Sequence, residues 1–117
     1  MKRVEKPWGH EVRFICTDRY AGKLLFIKAG AQLSLQYHEM KDEAFYVQSG
    51  TLELVLGRGP EERVERLGPG ESRHIKPGTI HRFRAVTDCE LFEVSTPELD
   101  DVVRIEDDFG REGTRED

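Results

Sequence analysis

Cysteine is scarce, tryptophan scarcer, and long apolar runs are missing. The 117 residues include two cysteines and one tryptophan. Cys16 and Cys89 are too few and too isolated to read as a disulfide framework, so reduced thiols are expected. No apolar stretch approaches the ~20 residues of a membrane-spanning helix, so no membrane partner is expected. The opening MKRVEKPWGHE has no hydrophobic signal segment, and a cytoplasmic location is expected rather than export. A basic surface is lacking too. From Glu98 onward nine acids face three bases, which leaves fourteen acids and fifteen bases in the other 97 residues. The formal charge of −5 therefore belongs to the tail, while the body is close to neutral. Nucleic-acid phosphates need a concentrated basic surface, so no nucleic-acid partner is expected. Internal repeats and convincing helical periodicity are also absent.

What remains is a series of short runs split by glycine, proline and polar turns. Strands are expected at Val12 to Thr17, Lys23 to Lys28, Glu43 to Ser49, Thr51 to Leu56, Arg63 to Leu67, Ser72 to Ile75, His81 to Val86 and Cys89 to Ser95. Ser49-Gly50 reads as a hairpin signal and GRGPEE, at 57 to 62, as an exposed, mobile loop. Such spacing indicates an antiparallel sandwich or barrel, whose closure removes exposed sheet edges. Trp8 is expected to cover one end of the core. Leu99, Val102, Val103, Ile105 and Phe109 can dock on the barrel as a strand or a short helical turn. One domain is expected, a barrel over 1–109, followed by a disordered tail at 110–117 that has nothing to bury.

Chemistry concentrates between Gly30 and Gly50, GAQLSLQYHEMKDEAFYVQSG. Ser34, Gln36 and His38 alternate with Leu33, Leu35 and Tyr37, so a strand places Gln36 and His38 on one face. Glu43 opens the next run, and His81 follows the Pro77-Gly78 turn, sharing its face with Phe83 and Ala85. One amide oxygen, two imidazoles and one carboxylate make a first shell for a divalent metal. Zinc, manganese, iron, cobalt and nickel all accept such donors. Inward faces of a small barrel converge on its lumen, where a concave ligand site belongs.

These residues resemble the two motifs of the cupin superfamily. Gly30, Gln36, His38, Glu43 and Gly50 are similar to the first, and Gly70 to His81 (GESRHIKPGTIH) to the second. Gln36 stands where the usual first histidine would be, and Ala85 where an asparagine is often found. Gln36 resembles the ligand set of phosphomannose isomerases, as do KPWGHE, SLQYH, PGTIHRF and VVRIEDDFGR. The likeness to this branch, which also occurs as the C-terminal domain of bifunctional isomerase/GDP-mannose pyrophosphorylases, runs from Lys6 to Arg111. It implies an all-β, single-domain cupin of jelly-roll type with one divalent metal on Gln36, His38, Glu43 and His81. It further implies a homodimer and a metal-dependent aldose–ketose isomerase of a mannose 6-phosphate-like sugar phosphate.

An amide ligand is neutral and leaves the ion more positive, which suits a Lewis acid polarising a carbonyl. Lys41, Arg73, His74, Lys76, Arg82 and Arg84 are candidates for a basic rim around phosphate or carboxylate. Lys41 and Arg82 are preferred for substrate binding because they resemble the basic positions of this branch, although alternation turns Arg82 and Arg84 away from the His81 face. Isomerisation needs a base near neutral pKa, for which Glu93 and His74 are the candidates. Glu39-Met40 and Ala44-Phe45 replace a His-rich pair and a His-Trp pair of the branch, which bears on the substrate more than on the metal. Two rival functions are a metal-dependent dioxygenase of a small organic substrate and a non-catalytic sugar-binding cupin.

Overall fold

Alternation along the strands divides the interior into two levels, one apolar and one charged. The structure, a computed structural model, describes residues 1–110. The tail expectation therefore lies, from residue 111 on, outside the described residues. The strands are β1 (Lys2–Lys6), β2 (Gly9–Cys16), β3 (Ala21–Ile27), β4 (Leu35–Tyr37), β5 (Glu43–Ser49) and β6 (Leu52–Leu56). They continue as β7 (Arg63–Leu67), β8 (Ser72–Ile75), β9 (His81–Ala85), β10 (Cys89–Ser95) and β11 (Val103–Glu106). A 3-10 turn at Gly59–Glu61 is the only helical element among the described residues, within the exposed 57–62 loop. The strands form two antiparallel sheets, ordered β1-β2-β3-β10-β5-β8 and β11-β4-β9-β6-β7. The fold is all-β, two antiparallel sheets packed as one domain, as expected.

The inward residues change character at one height. Lys23 precedes Leu25 and Ile27 on β3, Glu43 precedes Phe45 and Val47 on β5, and His81 precedes Phe83 and Ala85 on β9. On β10, which runs the other way, Leu91 precedes Glu93, and Glu93 pairs with Lys23 across the ladder. The apolar level, with Leu52, Leu54, Leu67, Ile75 and Trp8, is one buried cluster. Trp8 keeps 3% of its surface exposed, so it packs as an end cap of the core.

Two strands begin where alternation was not visible. β1 and β2 pair from Lys2↔Arg13 to Lys6↔Gly9, turning the polar N-terminal residues into an edge hairpin. Their sequence conceals this because inward Glu11 meets a charged level of the interior, not the apolar one. The segment after Pro97 docks as β11, pairing with β4 through Val103↔Tyr37 and Arg104↔Gln36. Two glycines of the motifs have a definite task. Gly50 has φ +88°, and a Cβ there would come within 2.1 Å of Asp88 O, so a side chain would break the β5–β6 turn away from β10. Gly78, at φ +82°, donates its N–H to His38 O at 2.7 Å and so ties the second motif to the first.

Candidate metal centre

Four elements carry the site. Gln36 is on β4 opposite His81 on β9, His38 follows β4, and Glu43 begins β5. His38, Glu43 and His81 are all buried, each offering a ligand atom within 4.8 Å of the other two. Ligands held about 2.0–2.2 Å from one ion sit about 3–4.4 Å apart, so only small adjustments separate this trio from coordination. Gln36 lines the same cavity. Its Nε2 donates to Ser34 Oγ at 3.1 Å and Ser34 O at 3.3 Å, which leaves the carbonyl oxygen as the amide's ligand atom.

The hydrogen-bond pattern tests whether these residues suit a cation. His38 Nδ1 donates to Asp101 O at 2.6 Å, and His81 Nδ1 donates to Thr79 O at 2.8 Å. With the proton on Nδ1 in the neutral ring, Nε2 is the nitrogen of each histidine left to hold a cation. His38 Nε2 lies 2.8 Å from Glu43 Oε1, yet that buried oxygen receives no hydrogen bond. A lone pair facing a carboxylate oxygen at this distance is repulsive in the neutral ring, and a shared cation removes the repulsion. The donor set fits a divalent metal, with backbone carbonyls fixing both imidazoles from behind.

Around the trio is a buried charge network. Lys41 Nζ is 3.4 Å from Glu43 Oε1 and 3.4 Å from Glu93 Oε2. Burial pushes the Lys41 ammonium toward losing its proton, but the Glu93 and Glu43 carboxylates outweigh it and the pKa moves up. Burial would likewise raise Glu43, but the Lys41 ammonium outweighs it, so the carboxyl stays well below the usual range. Glu93 goes the other way. Burial and the Glu43 charge raise its pKa against the pull of Lys41 and Lys23. Burial lowers His81, opposed by Glu43.

Glu93 and Lys41 therefore sit with the ligands, but two other expected residues do not. His74 is on the outward side of β8, half exposed and paired with Asp42 at 2.6 Å. Arg82 points away from the cavity, as the alternation of β9 requires. Its Nε donates to Leu33 O at 2.9 Å and its guanidinium reaches Glu106. Neither lines the cavity, so both are corrected to framework positions.

Four site residues escaped the sequence reading: Glu11, Lys23, Asp101 and Arg104. Glu11, Lys23 and Arg104 line the cavity and are buried. Glu11 takes a 2.7 Å bond from Arg13 and lies 3.5 Å from Lys23. Asp101 sits behind the site. Its carboxylate accepts the backbone N–H of Glu39, Met40 and Lys41 at 3.1, 2.7 and 2.9 Å, while its own carbonyl holds His38. These N–H groups outweigh partial burial and lower the Asp101 pKa. Asp101→Ala keeps the carbonyl that holds His38 but frees the 39–41 backbone, and is expected to weaken metal binding about 10-fold, the low end of what an outer-shell partner is worth. Competition with a chelating dye checks this; unchanged affinity would deny Asp101 its positioning role.

The comparisons agree with this geometry. Residues 23–95 match the family model described as a cupin domain. The Xanthan biosynthesis protein XanB of Xanthomonas campestris is 36% identical over 115 residues, covering 94% of this chain and 24% of that protein. Mannose-1-phosphate guanylyltransferase of Escherichia coli is 33% identical, covering 94% of this chain and 23% of that protein. The chain thus spans about a quarter of the length of the curated relatives it matches. Among solved structures, the capsular polysaccharide assembling protein CapF of Staphylococcus aureus superposes with a TM-score of 0.75 at 21% identity, over 90% of this chain and 32% of that one. With both motifs folded into one lumen and the family model covering them, the chain belongs to the cupin domain family.

Proposed function

We propose that the chain is a metal-dependent aldose–ketose isomerase of a mannose 6-phosphate-like sugar phosphate. The observation that carries the reading is the position of Glu93: a buried carboxyl in the same cavity as the metal-ligand trio, 3.4 Å from the Lys41 ammonium. Gln36, His38, Glu43 and His81 would hold one divalent ion, zinc, manganese, iron, cobalt or nickel. When bound, that ion supplies Lewis acidity to a carbonyl and its neighbouring hydroxyl.

The chain's own groups do the rest. Glu93 takes the proton from the carbon beside the carbonyl, leaving an enediolate; the hydroxyl proton on that carbon's oxygen passes to the former carbonyl oxygen, and Glu93 returns its proton to the former carbonyl carbon, giving the ketose. A raised pKa brings a carboxyl closer to the neutral value such a shuttle needs. Lys41, bridging Glu43 and Glu93, fixes the distance between base and ligands. Lys23, paired with Glu11, and Arg104 also stand in the cavity wall. Support for a sugar phosphate comes from the relatives, whose names include a mannose-1-phosphate guanylyltransferase. The cavity holds only about 60 Å³, against about 300 Å³ or more for pockets that enclose a whole ligand. The reacting end of an open-chain sugar fits inside, and the phosphate end lies at the mouth. A homodimer and a cytoplasmic location belong to the same proposal.

A coupled assay with mannose 6-phosphate and other hexose or pentose phosphates tests it. Turnover that depends on added Zn, Mn, Co or Ni supports the reading; no turnover with any of them refutes it. The small cavity of about 60 Å³ favours one rival, a metal-dependent dioxygenase of a small organic substrate such as an acid. Oxygen uptake with iron or nickel and such an acid would support that rival instead.

A further inference from the structure

The cavity contains a second acid–lysine pair, which neither the metal nor the proton shuttle uses. Lys23 on β3 is the ladder partner of Glu93 on β10. Glu11 on β2 lies beyond Lys23, its carboxylate Oε2 3.5 Å from Lys23 Nζ. All three side chains are buried and line the cavity that holds the ligand trio. Across the six-stranded sheet the inward groups therefore come in a set order: Glu43 on β5, Glu93 on β10, Lys23 on β3, Glu11 on β2. Neighbouring strands lie about 4.8 Å apart, so each group stands one short step further from the metal ligands.

Holding the fold together does not account for this pair. A buried ion pair adds little over apolar residues of the same volume unless its hydrogen bonds are good. Charged N–H···O contacts are best at about 2.7–2.9 Å. Arg13 Nε meets that standard, holding Glu11 Oε2 at 2.7 Å, whereas Lys23 stands back from the same oxygen at 3.5 Å. An ammonium has three donors and a carboxylate about four acceptor positions, so one loose contact leaves capacity on both groups. Burial would raise the Glu11 carboxyl, but the Lys23 ammonium and Arg13 outweigh it and keep it ionised, an acceptor only. Trp8, Leu33 and Leu99 line other parts of the cavity. A donor, an acceptor and hydrocarbon in one concavity are what an alcohol carbon needs: the ammonium for its oxygen, the carboxylate for its O–H, and apolar surface for its C–H.

We propose that Glu11 and Lys23 form a polyol subsite, which binds the first hydroxyl beyond the two reacting carbons of an open-chain sugar. The choice of sugar rests on the isomerase reading; the subsite names the group of that sugar which the cavity reads. The hydroxyl donates to the Glu11 carboxylate, and its oxygen accepts from the Lys23 ammonium. The order of groups across the sheet then repeats the order along the sugar chain. The carbonyl and its neighbouring hydroxyl lie at the metal ligands, the transferred proton at Glu93, and the next hydroxyl at Lys23 and Glu11. A ligand lacking that hydroxyl leaves a buried donor and a buried acceptor short of partners, and it is rejected for that reason. A carboxylate in the same place would face Glu11, so the pair selects an alcohol over an acid.

Isothermal calorimetry of the manganese-loaded chain tests this with two unreactive ligands, the sugar alcohol of mannose 6-phosphate and its 3-deoxy counterpart. The wild type is expected to bind the full alcohol about 10- to 100-fold more tightly, the worth of a hydrogen bond to a charged group. Glu11→Gln is expected to cut that preference to its square root or less, because a charged hydrogen bond is roughly twice as strong as a neutral one. A merely structural role would weaken both alcohols alike and leave the preference unchanged, which overturns the subsite. A wild type that binds the two alcohols equally, or binds neither, overturns it too. Turnover of mannose 6-phosphate separates this from the isomerase reading. A wild type without turnover refutes the isomerase, and the binding preference still decides the subsite; turnover with a preference unmoved by Glu11→Gln removes the subsite alone. Should Glu11→Gln fail to fold, a crystal structure of the wild type with the sugar alcohol decides. The C3 hydroxyl is expected within hydrogen-bond distance of the Glu11 carboxylate, and a hydroxyl placed elsewhere overturns the proposal.

Discussion

Glu93→Gln is expected to lower kcat for mannose 6-phosphate by about 10²–10⁴, the range lost when a general base is removed. KM and the bound metal are expected to stay nearly constant. The amide keeps the size of the carboxyl and a contact for Lys41, but it cannot carry a proton between two carbons. Steady-state kinetics with metal analysis of the same preparation check this. A variant that keeps full kcat would remove Glu93 from the chemistry, while parallel losses of kcat and metal would give it a structural role. The test separates Glu93 from His74, because His74→Gln lies on the outer surface and is expected to leave kcat unchanged.

Lys41→Met is expected to have the largest effect on stability. It removes the cation that two buried carboxylates share, at 3.4 Å from each. Leaving buried charge without its partner costs about 3–5 kcal/mol, on the order of 20 °C in Tm for a domain of this size. The sign with pH follows from the shifts. In the wild type the Glu43 pKa is lowered, so its stabilisation is present above the ordinary carboxylate value of 4.5 and is lost as pH falls through the folded value. Without Lys41 the main opponent of burial is gone, and the folded pKa of the carboxyl pair rises. The variant is then least stable, relative to wild type, at neutral pH, and the gap closes on acidification as a carboxyl takes up a proton. Thermal melts of both metal-free proteins between neutral and mildly acidic pH measure this gap. A gap that widens on acidification would contradict the assigned network.

What the sequence disclosed follows from how local each signal is. Gln36 and His38 share a strand face, Glu43 opens the next strand, and His81 follows a Pro-Gly turn, so the gathering of these four side chains at one cavity was legible before any coordinates. Glu93 was legible as a residue but not in phase. β10 has Cys89, Leu91, Glu93 and Ser95 on one side and Glu90, Phe92 and Val94 on the other, so each side mixes acid and apolar residues. The structure turns Glu93 inward and leaves Phe92 and Val94 on an uncovered face. Lys23, Glu11 and Arg104 could not be found by hydropathy, because a charge buried in a polar cavity looks like a charge in water. Asp101 was hidden inside a run of acids taken as a tail, and only its four hydrogen bonds to residues 38–41 set it apart. Arg82 was selected by likeness to a family branch against its own strand phase, and the phase prevailed.

The central claim is that His38, Glu43 and His81, with Gln36, share one divalent ion. Titration of the chelator-stripped chain with Zn, Mn, Co, Ni and Fe(II) by isothermal calorimetry tests it most directly. One ion per chain is expected in the wild type, with that binding lost in both His38→Ala and His81→Ala and kept in Arg82→Ala. A wild-type chain that binds none of these ions, or a His81→Ala chain that binds them as tightly as wild type, would contradict the claim.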